Sequence, residues 1–186
     1  FSALNLRGYG ETIVAADFDN DGDVDLFVPY YSHNDPSERS YLLRNDGSGR
    51  FVDVAAAAGV ALQGVAADHR VEGAQAVDYD DDGRLDFYVG GRLFRNTGAL
   101  TFADVTAQVG LPGTFDEGIK FLDWNNDGRT DLIAPDTDGF VWYFVNTTGQ
   151  RFPVFAAGVR LESAGRPLRV YGEDRTWWKV NGVWTL

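Results

Sequence analysis

Apolar residues in this chain fall in short runs broken by polar clusters that contain glycine, and no run carries the period of a long amphipathic helix. Three segments, Gly10 to Ala16, Gly73 to Val77 and Gly118 to Leu122, each enter an acidic stretch. Three others, Leu26-Phe27-Val28, Phe87-Tyr88-Val89 and Leu132-Ile133-Ala134, leave it. Short runs rich in β-branched and aromatic residues, bounded by turn formers, predict β-strands. Only Val54 to Ala58 and Val105 to Val109 have room for a turn or so of helix.

The acidic stretches repeat one pattern: Asp17-Phe-Asp-Asn-Asp-Gly-Asp-Val-Asp25, Asp78-Tyr-Asp-Asp-Asp-Gly-Arg-Leu-Asp86 and Asp123-Trp-Asn-Asn-Asp-Gly-Arg-Thr-Asp131. The likeness continues downstream through Arg44-Asn45-Asp46-Gly47, Arg95-Asn96-Thr97-Gly98 and Val145-Asn146-Thr147-Thr148-Gly149, each between two apolar runs as in a tight hairpin. One unit therefore reads strand, acidic loop, strand, connection, strand, Asn/Gly turn, strand. Three units are expected, at about 8–60, 61–111 and 112–161, the first lengthened by a surface insertion over Pro29 to Ser40. Residues 162–186 form a tail in which Asn181-Gly182 predicts a hairpin that completes a blade or makes an interface.

Oxygen ligands at alternate positions of a tight loop converge on one point, and calcium takes six to eight of them. In the first loop these are Asp17, Asp19 and Asp21, with the Asp23 backbone carbonyl and with Asp25 closing the site. Glycine at position six permits the reversal. Position seven is Asp23, Arg84 or Arg129, so its side chain is not required, while positions one, five and nine are aspartate throughout. Position two is aromatic in every copy (Phe18, Tyr79, Trp124) and is expected to turn into the core. A helix-loop-helix calcium hand needs a glutamate at position twelve, where this chain has Val28, Val89 or Ala134. Magnesium, which prefers a rigid octahedron and retained water, fits less well.

The formal charge of −12 and pI near 4.4 agree with cation binding and argue against nucleic acid, which needs clustered Lys and Arg. The apolar fraction of 44% is enough for a core. Cysteine is absent, which excludes disulfides and thiolate metal sites. No apolar run is long enough to span a bilayer as a helix. The start, Phe1-Ser2-Ala3-Leu4, lacks an initiating Met and is not a signal peptide, as expected of a mature product or an excised fragment.

The strand-flanked Asp-x-Asp/Asn-x-Asp-Gly-x-x-Asp loop, the Arg-Asn-x-Gly turn and the Phe-x-Asp-Val strand resemble the FG-GAP/VCBS repeat family, whose calcium loop integrin α-chain propellers share. The resemblance covers residues 8 to 161 and implies an all-β fold of four-stranded propeller blades with calcium between the first two strands of each. It implies ligands at Asp17, Asp19, Asp21, Asp23 and Asp25, then at Asp78, Asp80, Asp82, Arg84 (carbonyl only) and Asp86. In the third loop it implies Asp123, Asn125, Asp127, Arg129 (carbonyl only) and Asp131. Asn125 removes one negative charge, so the third site is expected to be the weakest. Propellers close with four to eight blades, so three units imply an incomplete propeller, a fragment or one completed by association.

The function expected is a non-catalytic, extracellular, calcium-binding scaffold or adhesion module, with self-association or a protein partner. The alternative is a carbohydrate-binding module stacking sugars on Trp142, Trp177, Trp178 or Trp184. Enzyme chemistry finds little support. The histidines are His33 and His69, the Gly-x-Ser-x-Gly and His-Glu-x-x-His motifs are missing, and Glu72 and Glu117 read as solvated. Asn146-Thr147-Thr148 matches an N-glycosylation acceptor in a turn expected to be accessible.

Overall fold

The computed structural model describes residues 12–29, 39–62, 73–111, 119–136, 138–148 and 153–169, with backbone alone at 179–180 and 183–184. His33, His69, Glu72, Glu117, Trp177, Trp178 and the Asn181-Gly182 turn lie outside the described residues, as does most of the Pro29 to Ser40 insertion.

Three four-stranded antiparallel sheets dominate, each made of strands in simple sequence order. Blade one is β1 (Val14–Ala16), β2 (Asp25–Val28), β3 (Tyr41–Asn45) and β4 (Phe51–Asp53), followed by the single-turn helix α1 (Ala55–Ala58). Blade two is β5 (Ala74–Val77), β6 (Asp86–Val89), β7 (Arg92–Gly98) and β8 (Thr101–Asp104). Blade three is β9 (Lys120–Leu122), β10 (Asp131–Pro135), β11 (Val141–Phe144) and β12 (Val159–Arg160). Two small hairpins follow, β13 (Glu162–Ser163) with β14 (Arg166–Pro167) and β15 (Lys179–Val180) with β16 (Val183–Trp184). The all-β expectation of four-stranded blades is met, and the register Val180↔Val183 is that of the hairpin foreseen in the tail.

Alternation along the strands gives every blade two apolar faces, and the core lies between blades. Val14, Ala16, Phe18, Phe27 and Leu42 of blade one pack against Phe87, Val89, Phe94 and Phe102 of blade two. Phe27 stacks on Phe87 at 4.3 Å between ring centroids, and Phe18 meets Phe87 and Phe102 edge-on. Burying each such ring contributes about 1.5–3 kcal/mol. The opposite face of blade two, with Tyr79, Tyr88 and Leu93, packs on Phe121, Leu132 and Phe144 of blade three.

Three local readings are corrected. In blade two the turn residues are Ala99 and Leu100, both at positive φ (51° and 53°), because a bulge between Asn96 and Gly98 moves the reversal two residues on. In blade three Gly149 and Phe152 lie outside the described residues, the described Pro153 to Phe155 makes an Asn146↔Phe155 bridge, and Val159–Arg160 pairs with β11 as the outer strand. Asn146, the glycosylation candidate, is buried: its N–H donates to Asp131 and its side-chain oxygen accepts from Thr148 N–H.

Candidate metal centres

Each acidic loop bridges the first two strands of its blade, and the same hydrogen bonds shape all three. The position-one carboxylate accepts from the N–H groups of positions five and six. These bonds are Asp17 from Asp21 and Gly22, Asp78 from Asp82 and Gly83, and Asp123 from Asp127 and Gly128, at 2.9–3.1 Å. Position five accepts from the N–H of position seven: Asp21 from Asp23, Asp82 from Arg84 and Asp127 from Arg129. Position nine is buried and spans the blade. One oxygen takes the N–H of the position-two aromatic, the other the N–H of an Asn that lies on the third strand in blades one and two and two residues past it in blade three. The pairs are Phe18 and Asn45 on Asp25, Tyr79 and Asn96 on Asp86, and Trp124 and Asn146 on Asp131.

Position six is glycine with φ of 93°, 85° and 83°, a conformation that side chains resist. Position four is also left-handed, at Asn20, Asp81 and Asn126, and sequence reasoning passed over it. The signal was present, since Asn and Asp are the residues that best tolerate this region.

What converges differs between loops. Ligand oxygens of Asp17, Asp19 and Asp21 lie within 4.8 Å of one another, as do those of Asp78, Asp80 and Asp86. Asp19 Oδ1 and Asp80 Oδ1 are buried and accept no hydrogen bond, an arrangement costly for bare carboxylates and natural for ligands of a hard cation. Burial raises the Asp19 and Asp25 carboxyls above their ordinary range, with neighbouring aspartates adding to it. Burial likewise raises Asp80, and it pushes Asp86 up to about 8.

Loops two and three also hold arginines. Arg84 and Arg129 donate Nε–H to the carbonyls of Asn96 and Asn146, at 2.9 and 2.8 Å, and pair through their guanidinium groups with Asp82 and Asp127. Arg95 from β7 lies 2.7 Å from Asp80 and 3.2 Å from Asp82. In loop three Asn125 donates its amide to Asp127 at 2.7 Å. Asp123, Asn125, Asp127 and Asp131 thus share the loop, with Asn125 providing a carbonyl oxygen where the other loops provide a carboxylate. Arg95 was missed as a neighbour of the site because its own segment reads only as hairpin.

Position two breaks its predicted symmetry. Phe18 and Tyr79 are 1% and 4% exposed, but Trp124 is 44% exposed and stacks only on Tyr143 among the described rings. The two buried aromatics are each covered by the following blade, and no described element covers the third. Trp142, a candidate for sugar stacking, is half-buried, donates Nε1–H to Asp136 at 2.7 Å and has Arg160 over its ring.

The strand-loop-strand geometry with repeated aspartates is the observation that meets the comparison with known families. Residues 17–89 match the FG-GAP-like repeat family. The FG-GAP-like match spans the first two acidic loops, and the four-stranded antiparallel sheets fit the propeller-type blades of such repeats. No curated protein matches the chain. The FG-GAP-like acidic clusters of loops one and two could hold a metal ion, and no helix among the described residues is long and apolar enough to cross a membrane.

Proposed function

We propose that this chain is a non-catalytic, extracellular scaffold or adhesion module whose blades are stiffened by calcium in all three acidic loops. Convergent carboxylates with unpartnered buried oxygens at Asp19 and Asp80 carry the reading. A hard divalent cation would supply charge neutralisation and a multidentate cross-link. Asp17, Asp19, Asp21, Asp25 and the Asp23 carbonyl would hold it in loop one. In loop two the holders would be Asp78, Asp80, Asp82, Asp86 and the Arg84 carbonyl. Asp123, Asn125, Asp127, Asp131 and the Arg129 carbonyl would serve in loop three.

The chain's own residues already set the frame. Position nine ties the loop to two strands, position one folds the backbone around itself, and the position-six glycine turns it. Such multi-carboxylate sites suit the micromolar to millimolar calcium found outside cells, where no regulation is needed. FG-GAP repeats occur in extracellular proteins, in agreement with that setting.

Calorimetric titration of calcium into the chelated chain, with thermal melts at each stage, tests the reading. The expected result is saturable binding that raises the melting temperature, with loop three weakest. A melt indifferent to both chelator and calcium would overturn it.

A further inference from the structure

Loops one and two carry the same acid load and dispose of it differently. Each has five aspartates in its nine positions, Asp17, Asp19, Asp21, Asp23 and Asp25 in the first and Asp78, Asp80, Asp81, Asp82 and Asp86 in the second. Among the described residues, no guanidinium pairs with an aspartate of loop one. Loop two has two such partners, Arg84 from its own seventh position and Arg95 from β7.

Arg95 is the partner that sets loop two apart. Arg84 has an equivalent in loop three, where Arg129 holds Asp127 and the Asn146 carbonyl just as Arg84 holds Asp82 and the Asn96 carbonyl. The residue before that Asn is Arg44, Arg95 or Val145 in the three blades. Val145 offers no charge. Arg44 is exposed and acts on Asp19 without an ion pair, more weakly than burial, Asp21 or Asp17. Arg95 is half-buried, and its guanidinium lies 2.7 Å from the fully buried Asp80 side chain and 3.2 Å from Asp82. It therefore bridges positions three and five, the two carboxylates that a cation in the loop would also draw together.

The convergent oxygens shift accordingly. In loop one they belong to positions one, three and five, whereas in loop two they belong to positions one, three and nine, with Asp82 outside the set. Asp82 is the carboxylate that both arginines hold. Burial raises the Asp80 carboxyl, and Arg95 is the foremost influence in the opposite direction. Opposite charges this close, away from bulk water, attract far more strongly than they do in solvent.

We propose that Arg95 is a built-in counter-ion of loop two, which neutralises Asp80 and holds Asp82 out of the convergent set, so that a divalent cation has to win both carboxylates back from it. Loop two therefore keeps its path without metal and takes calcium more weakly than loop one. The inference rests on the calcium reading of the loops and deepens it, ranking two of them through a residue outside the nine. Arg95 is a positioning residue, since it acts on the ion through Asp80 and Asp82.

Calcium calorimetry and melts in chelator test this on the whole chain with Arg95→Gln, Arg95→Lys and Arg44→Gln. Asp82→Asn, which takes a carboxylate from loop two, identifies the loop-two step in the isotherm. Arg95→Gln is expected to melt below wild type in chelator and yet to bind calcium at loop two about tenfold more tightly. Those two changes have opposite sign. Arg95→Lys is expected to restore most of the melting temperature in chelator, and Arg44→Gln to change neither reading. A residue that merely braced the sheet would lower the melt without tightening the binding, so that pattern overturns the proposal, as does an Arg95→Gln chain that matches wild type in both. An equal tightening in Arg44→Gln also overturns it, because net charge alone would then be the cause. If calcium enters the other loops and Arg95→Gln leaves loop two unchanged, the counter-ion falls and the calcium reading stands. If wild type takes no calcium and Arg95→Gln gains a step, the counter-ion stands and the calcium reading falls.

Discussion

Loop two and loop three follow the same nine-residue pattern and make the same backbone hydrogen bonds, yet they sit in different surroundings. Asp78 and Asp123 each fold their loop with two bonds, and Asp86 and Asp131 each tie it to the neighbouring strands. Around that common frame, Tyr79 and Asp80 are buried, whereas Trp124, Asn125 and Asp127 are exposed. The lesson is that local sequence dictates the path of the loop, while packing between blades dictates its dielectric and hence its electrostatics. A carboxylate sealed beneath the next blade loses hydration that the same residue keeps at the edge.

The largest expected effect lies at position two. Tyr79→Ala empties a packed site between blades and should cost about 3–5 kcal/mol, whereas Trp124→Ala in the single chain should cost under about 1 kcal/mol because its ring is partly in water. Chemical denaturation of both variants measures the contrast. Equal losses would break it.

Next comes position nine. Asp86→Ala strands the N–H groups of Tyr79 and Asn96 in the core, at about 1–3 kcal/mol for each lost partner. The same denaturation assay reads it, and a loss below about 1 kcal/mol would show that the tie is dispensable.

A pH series in chelator tests loop two's burial. The Asp86 carboxyl is raised by burial to about 8 in the folded chain, above its ordinary 3.8, so between those values the native state holds a proton that the unfolded chain has released. Its contribution to stability is fully present at low pH and is lost as pH climbs toward 8. The metal-free melting temperature should therefore fall from pH 5 to pH 8. The substitution Asp86→Asn, which removes the titrating group, should flatten that slope. Calcium needs the ionised carboxylate, so the gain from added calcium should grow over the same interval.

The smallest effect is one of affinity. Asn125→Asp restores the missing carboxylate, and calorimetry should show loop three binding calcium up to about tenfold more tightly, equivalent to about 1.4 kcal/mol. An unchanged isotherm would mean that charge count does not rank the loops.

Much of this was legible in the chain itself. The apolar runs gave the strands, and the nonapeptide gave the loops together with the glycine reversal. Three features were hidden. The exposure of Trp124 depends on which blade follows, something no window around position two contains. Arg95 reaches Asp80 from β7 across the sheet, so only the pairing of strands reveals it. The Ala99-Leu100 turn carries neither Gly nor Asn, because the bulge after Asn96 moved the reversal away from the residues that announce one.

Asn96 serves two masters. Its side-chain amide donates to the Leu85 carbonyl of its own blade and to the Phe18 carbonyl of the blade before, while its N–H rests on Asp86. Closing a loop and seating a neighbour are thus one event, which makes the stack behave as a row of coupled units in the manner of a one-dimensional lattice. Loosening at one unit is thereby transmitted to the next, and removing the Asn96 side chain should raise hydrogen exchange in blades one and two together.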